Sequence, residues 1–177
     1  GTSVLEALRT PLEEGQIRLA RRDGVACYPA RFQLVLAANP CPCAPPNSRD
    51  CVCPSADRRR YLGKLSGPLM DRVDLRVDMH PVLAGAFGDH AAESTSAVRA
   101  RVAAARAAAA ERWQDVGVRT NAEVPGPVLR RRFRLSRDAM KPLRQSLDSG
   151  RLSIRGVDRT LRVAWSLADL AGRDSPN

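Results

Sequence analysis

The sequence lacks two features that would place the protein in or beyond a membrane. A membrane-spanning helix needs roughly 18 or more consecutive apolar residues, and no apolar run in this chain of 177 residues approaches that length. The pattern of a secretory signal peptide is also missing. We therefore expect a cytoplasmic protein that has no membrane partner.

Lysine is scarce as well, since Lys64 and Lys141 are the only lysines among 29 cationic residues. The other cations are arginines. The net charge of +10 and an isoelectric point near 10.6 favour a polyanionic partner such as nucleic acid or nucleotide phosphates. A compositional bias of an alanine-rich source genome is the alternative explanation. The hydrophobic fraction of 44% argues against global disorder and supports one domain or two small ones.

Four of the five cysteines stand in two closely spaced pairs, Cys41 with Cys43 and Cys51 with Cys53. In a cytoplasmic protein such cysteines indicate a metal site or thiol chemistry before disulfides, and four thiolates can enclose a tetrahedral zinc ion. Residues two apart in an extended chain point in opposite directions, and only the first pair has a proline, Pro42, to bend it. Inert or redox-active thiols therefore remain the alternative to zinc.

Residues 1–82 carry patterns of both helix and strand and predict an α/β unit. The expected elements are a helix at 3–13, an antiparallel hairpin that turns at Asp23-Gly24, and apolar strands at 32–38 and 73–79. A continuous apolar run such as 32–38 is typical of a strand buried on both faces of a parallel sheet. Cys27, alone within the hairpin, is expected to be a core residue.

Residues 83–93 form a linker in this interpretation, and residues 94–177 are helical. Ser94 or Thr95 is expected to be the N-cap of the first of these helices, which carries a single apolar stripe. The stripe consists of Val98, Val102, Ala105, Ala109 and Trp113. Further helices are expected at 138–147 and 153–171.

Two polar residues occupy positions where a ligand is commonly bound. Asn39 follows the predicted buried strand, and the carboxyl ends of such strands are where open α/β sheets bind their ligands; a simple turn cap is the alternative. Arg72 stands at a tight corner between a short helical turn and a strand. We expect it to face outward and to offer its planar fork to a phosphate on a neighbouring molecule. An ordinary surface ion pair is the alternative.

Four stretches, taken in order, carry a resemblance to a known family. They are residues 5–13 (LEALRTPLE), 39–43 (NPCPC), 65–76 (LSGPLMDRVDLR) and 164–172 (AWSLADLAG). With them the chain resembles the magnesium-chelatase-like AAA+ ATPases, in the ComM/YifB subgroup. The resemblance implies the C-terminal part of an AAA+ α/β core, with a parallel sheet and a β-hairpin insertion, followed by an α-helical lid.

The resemblance also implies roles for individual residues. Asn39 matches the sensor-1 residue that orients the attacking water, and Arg72 matches the arginine finger given to ATP on a neighbouring subunit. Arg155 matches the sensor-2 arginine at the start of a lid helix. Arg21 and Arg22, at the hairpin tip, match the presensor hairpin that contacts DNA in related helicases; a solvated turn is the alternative.

The sequence departs from the family in what it omits. It contains no G-x-x-x-x-G-K-[ST] phosphate loop and no apolar strand ending in Asp-Glu, so ATP and its magnesium would be held mainly by residues before position 1. We expect the fragment to be inactive alone. Ala44 also stands where the family usually has glycine.

The implied function is that of part of an oligomeric, hexameric ATPase. It would drive DNA translocation or branch migration in recombination or natural transformation. The alternatives are a magnesium chelatase ATPase subunit, against which the paired cysteines argue, and a non-enzymatic zinc-bearing module that binds DNA or a protein partner.

Overall fold

The computed structural model of the protein describes residues 2–46, 48–79 and 93–177. The chain divides into two compact units, residues 1–87 and 88–177, and each is described by itself. The predicted linker at 83–93 lies outside the described residues except for its last residue, Glu93. No helix in the described part of the chain is both long enough and apolar enough to cross a membrane.

The first unit combines short helices with one hairpin. Its helices and strands are α1 (Thr2–Ala7), α2 (Arg9–Glu14), β1 (Gln16–Arg21), β2 (Gly24–Pro29), α3 (Ser55–Leu62) and α4 (Gly67–Met70), with a 3-10 turn at Ser48–Asp50 between β2 and α3. Helix and strand therefore occur together in this unit, as the sequence predicts.

The helix predicted at 3–13 is divided into α1 and α2 at Leu8. Pro11 explains the break, because proline has no N–H to donate to the carbonyl one turn earlier and its ring crowds that carbonyl. Gly15 ends α2 in the left-handed conformation, with φ of 65°, and its N–H donates to the carbonyl of Pro11 at 2.8 Å. Glycine adopts this conformation without steric cost.

The hairpin forms as predicted, with β1 and β2 antiparallel and Arg21 opposite Gly24. Nearly all of its side chains are exposed on both faces. The expectation that Cys27 is a core residue is therefore wrong, since Cys27 is exposed. A two-stranded ribbon has an interior only where another layer covers it.

The strands predicted at 32–38 and 73–79 are not present as strands. In the described residues, the one sheet joins β1 to β2, and both apolar segments run as irregular chain. Val35 is 81% exposed and Val77 is 74% exposed. An extended segment becomes a strand only when a neighbour completes its backbone hydrogen bonds, and no described segment pairs with either one in a sheet. The predicted parallel sheet is thus absent from the described part of this unit.

The second unit is helical. Its helices are α5 (Thr95–Arg112), α6 (Gly126–Arg131), α7 (Arg137–Asp148) and α8 (Ile154–Leu170), with 3-10 turns at Gln114–Val116 and Asn121–Glu123 between α5 and α6. Ser94 is the N-cap of α5, and its hydroxyl accepts from the N–H of Ala97. Serine at this position satisfies one of the free N–H groups of the first turn.

One apolar cluster holds this unit together. Trp113 is completely buried and its ring meets those of Phe133 and Trp165 edge to face, at centroid separations of 4.4 and 5.6 Å. The predicted stripe on α5 is only half correct, because Ala105 and Ala109 are buried with Trp113 whereas Val98 and Val102 are partly exposed. The N-terminal half of α5 has no packing partner in the described part of its unit.

A polar network crosses the same core. The carboxylate of Asp169 on α8 pairs with both terminal nitrogens of Arg112 on α5, and its side chain is 1% exposed. The amide of Asn121 donates to Asp169 at 2.8 Å and accepts from the indole N–H of Trp113 at 2.7 Å. The Arg112 guanidinium also lies 4.4 Å from the ring centroid of Trp165. These contacts fasten α5 to α8.

Candidate functional site: a four-cysteine cluster and a paired arginine

Four cysteines converge in the first unit. The sulfur atoms of Cys41, Cys43, Cys51 and Cys53 all lie within 4.8 Å of one another. The sulfur of Cys43 is 3.4 Å from that of Cys41 and 3.8 Å from that of Cys51. All four are free thiols, and Cys41 is buried. The chain therefore folds back on itself between the two pairs so that four soft donors face one point.

The spacing of these sulfurs fits a single tetrahedral metal ion. Zinc–thiolate bonds of about 2.3 Å place the ligand sulfurs of a tetrahedron about 3.8 Å apart. A multinuclear iron–sulfur cluster inserts several atoms between its cysteines and needs a wider set. Four thiolates around one point are the donor set that structural zinc prefers.

The thiols of the cluster differ in acidity because they hydrogen-bond to one another. Hydrogen bonds from Cys53 and then Cys41 lower the pKa of Cys43 to about 7, and the bond to Cys43 raises the pKa of Cys53 to about 12. Burial raises the pKa of Cys41. The Cys43 thiolate thus forms readily while Cys41 and Cys53 keep their protons, and a divalent cation would replace those protons.

The first cysteine pair is bent by a turn. Ala44 has φ of 46°, in the left-handed region, and its N–H donates to the carbonyl of Cys41 at 3.3 Å. Only glycine adopts this region freely, which gives a physical reason for the glycine that the family resemblance expects here. The turn at Ala44 therefore contributes to the bend of this pair together with Pro42.

Arg72 lies two residues after the end of α4, whose start is fixed by its N-cap. The hydroxyl of Ser66 accepts from the N–H of Leu69 at 3.2 Å, Pro68 stands in the first turn, and Leu69 is fully buried. The N–H of Arg72 donates to the carbonyl of Leu69 at 2.9 Å. The corner is therefore locally determined, as the sequence predicts.

The side chain of Arg72 does not face outward as expected. It is 14% exposed and pairs with the carboxylate of Glu13 at the end of α2, and its Nη1 donates to the carbonyl of Pro68 at 2.7 Å. Its Nε is buried without a hydrogen-bond partner in the described part of the chain. The guanidinium is thus held against its own unit by an acid, because a guanidinium this far out of water needs a carboxylate beside it.

Two acidic residues of the first unit have roles that sequence reasoning missed. Glu13 pairs with Arg72, and Glu6 accepts from the hydroxyl of Ser66 and from Arg9, the latter at 2.8 Å. These two hydrogen bonds lower the pKa of Glu6. Both acids lie in the stretch 5–13 that carries the family resemblance, and that position was the one available signal.

The other predicted site residues are exposed and separate in the sequence. Asn39 lies in irregular chain, Arg21 and Arg22 lie at the tip of the hairpin, and Arg155 lies in the first turn of α8. Arg155 belongs to the second unit, and the other three belong to the first. The structure brings together the four cysteines, and it pairs Arg72 with an acid.

Two family profiles match the chain, one for each unit. The profile described as magnesium chelatase, subunit ChlI, matches residues 1–86, and that of the ChlI C-terminal region matches residues 92–177. The boundary between the profiles lies close to the boundary between the two units at residue 87.

Individual relatives match nearly the whole chain. An uncharacterized protein of Mycobacterium tuberculosis is 75% identical over 98% of this chain and 35% of its own length. YifB of Salmonella typhimurium is 37% identical over 94% and 33%, and the competence protein ComM of Haemophilus influenzae is 34% identical over 96% and 33%.

The chain spans about a third of the length of these curated relatives. The matches nevertheless run through both of its units and include the cysteine cluster and Arg72 within the matched residues. The chain therefore belongs to the magnesium-chelatase-like family, in the group that includes YifB and ComM.

Proposed function

We propose that this chain acts as part of an oligomeric, hexameric AAA+ ATPase that couples ATP hydrolysis to movement along DNA. Membership of the magnesium-chelatase-like family supports the ATPase class. The net charge of +10 supports a polyanionic partner. The proposed setting is cytoplasmic DNA recombination or natural transformation. A nucleotide and its magnesium ion would be held mainly by a segment that carries the phosphate loop.

Within that machine the proposed roles follow the family match. Asn39 orients the water that attacks the terminal phosphate. Arg72 reaches the ATP of a neighbouring subunit and stabilises charge on the transferred group, a contribution that can be worth about 10³ or more in rate. Arg155 provides a second guanidinium from the lid. The parallel sheet of an AAA+ core would form when strands from the segment that carries the phosphate loop lie beside residues 32–38 and 73–79.

The observation that carries the proposal is the state of Arg72. Its guanidinium is positioned by Glu13 and by the carbonyl of Pro68, and its Nε has no partner in the described residues. Binding ATP from a neighbour requires polyphosphate to displace the Glu13 carboxylate, whose side chain is 43% exposed, from a guanidinium that is itself 14% exposed. Because the guanidinium is planar and already held in place, it loses little conformational freedom when it binds phosphate.

The cysteine cluster is proposed to hold one structural zinc ion. The mutual sulfur distances support this, and the ion would fix the loop between β2 and α3. The same cluster supports a second candidate function, a non-enzymatic zinc-bearing module that binds DNA, because the cluster needs nothing outside this chain. A magnesium chelatase subunit is supported by the family match alone.

The hairpin provides a test that needs only this chain. Replacing Arg21 and Arg22 with alanine removes two exposed charges from the tip, so DNA affinity should fall, and the slope of log affinity against log salt should decrease by about 1 to 2. Binding of a labelled DNA duplex, measured by anisotropy across a salt series, gives both values. The control variant replaces Arg58 and Arg59 on α3 with alanine, which removes the same charge from another part of the unit. Equal slopes for the wild type and the tip variant would remove the hairpin from the DNA interface.

A further inference from the structure

A band of cations runs along the surface of the second unit from α6 into α7. It begins in the tripeptide at 130–132 and continues into α7. Two of its members are neutralised, since Arg130 pairs with Asp158 and Arg132 pairs with Asp115. The other five are exposed and have no carboxylate partner in the described residues. They are Arg131, Arg134, Arg137, Lys141 and Arg144, here called the α7 basic surface.

The packing of α7 fixes the direction in which three of these cations point. Met140, Leu143 and Leu147 pack against the apolar cluster of the unit. Arg137, Lys141 and Arg144 recur at spacings of four and three residues, so they share one face of the helix, about 90° around the helix from the packed face. All three are exposed. Burial of the apolar face therefore presents a row of positive charge to solvent.

The stability of the unit does not explain this row. Arg137 occupies the first turn of α7, where the helix dipole disfavours a cation. Like charges at these spacings repel one another by a few tenths of a kcal/mol, and only Asp138 and Asp148 on the same helix offset them. A charge pattern that gives little to the fold is better explained by a partner.

The character of the surface restricts that partner. In the described part of the second unit, the large apolar side chains that are exposed lie on α5 and α8; they are Val98, Val102, Ile154, Leu167 and Leu170. None lies on the α7 basic surface, so it offers nothing to insert into a bilayer or to bury against an apolar protein face. Guanidinium groups without acids are suited to the spaced phosphates of a nucleic acid backbone.

We propose that the α7 basic surface binds the phosphate backbone of DNA and is a second contact, on the helical unit, in addition to the hairpin tip. This proposal rests on the proposed function for the choice of DNA as the polyanion, and it uses different residues on a different unit. Its contacts are electrostatic and independent of base sequence.

A charge-matched pair of triple variants of the whole chain tests this. The test variant is Arg137→Gln, Lys141→Gln, Arg144→Gln. The control is Arg99→Gln, Arg106→Gln, Arg119→Gln, which removes the same charge from exposed positions on α5 and after it. The probe is a labelled DNA duplex of mixed sequence, titrated at several salt concentrations, with circular dichroism to verify folding. The test variant should bind about tenfold or more weakly at low salt, with a salt slope reduced by about 2 to 3.

The possible outcomes separate this proposal from the proposed function. A large loss in the test variant with a small loss in the control supports the α7 basic surface. Equal losses in both would overturn it in favour of a net-charge effect. No loss in the test variant, with weakened binding by the Arg21 and Arg22 variant, would overturn it and leave the proposed function intact. Failure of the wild-type chain to bind the duplex, or binding only to phosphatidylglycerol vesicles, would overturn both.

Discussion

Local turns place three of the four thiols of the cluster. Cys41 and Cys43 are brought together by the turn at Ala44, and Cys51 follows directly on a 3-10 turn. Four thiols this close repel one another once ionised, so they favour a cation that takes the place of their protons. A metal ion at this point would therefore stabilise the fold of the loop as well as bind to it.

We expect about one zinc ion per chain in protein purified under reducing conditions without chelator. Cys41→Ser should lower the metal content well below one, because it removes the buried member of the set. Cys27→Ser is the matched control, since Cys27 is an exposed cysteine outside the cluster. Elemental analysis gives the stoichiometry. A metal-free wild-type chain that is fully folded would contradict the assignment.

Single residues could be predicted from the sequence where a local rule determines them. The pairing of the four cysteines and the corner at Arg72 follow from neighbours within a few positions. The partner of Arg72 could not be predicted, because Glu13 is 59 residues away in the chain and no local pattern relates two charges across that separation. For this reason the prediction that the Arg72 guanidinium faces outward was wrong.

Among helices and strands, too, the features set by neighbouring residues could be predicted and those set by distant residues could not. Ser94, Gly15 and the Asp23-Gly24 turn specify their elements through backbone hydrogen bonds within one turn. The strands at 32–38 and 73–79 have the right composition, but a strand also needs a neighbour that is distant in sequence. Composition alone cannot supply that neighbour, and both segments therefore lie exposed as irregular chain in the described residues.

The polar network that joins α5 to α8 should contribute measurably to the stability of the second unit. Asp169→Ala leaves the Arg112 guanidinium and the Asn121 amide without their acceptor in a core where Asp169 is 1% exposed. Breaking such a buried pair costs on the order of 3 kcal/mol of unfolding free energy. Both tryptophans of the chain, Trp113 and Trp165, lie in this unit. Denaturant unfolding followed by tryptophan fluorescence therefore reports on this unit directly.

The control for Asp169→Ala is a substitution that breaks a surface ion pair of the same unit. Asp115→Ala breaks the pair with Arg132, in which both side chains are more than half exposed. Such pairs contribute about 0 to 1 kcal/mol. If the two alanine variants unfold at the same denaturant concentration, the network at Asp169 does not hold α5 to α8.

At the scale of the whole molecule, the proposed function belongs to a polypeptide longer than this chain. Its first unit offers a fixed guanidinium and a cysteine cluster, and its second offers a helical body with a basic surface. The family match spans both units, while the curated relatives are about three times as long. If Arg72 acts on a neighbour's nucleotide as proposed, activity requires an assembly, and the decisive experiment therefore needs the longer polypeptide.

That experiment measures ATP binding and ATP hydrolysis side by side in a protein that joins this chain to the segment with the phosphate loop. Arg72→Ala should lower the hydrolysis rate by about 10³ and leave ATP affinity nearly unchanged, since the arginine acts on the transferred phosphate of a neighbour. Arg76→Ala, an exposed arginine whose Nη2 donates to the carbonyl of Met70 near the same corner, should change neither value substantially. Hydrolysis that survives Arg72→Ala, or ATP binding that is lost with it, would contradict the assignment of Arg72 as the residue given to the neighbouring site.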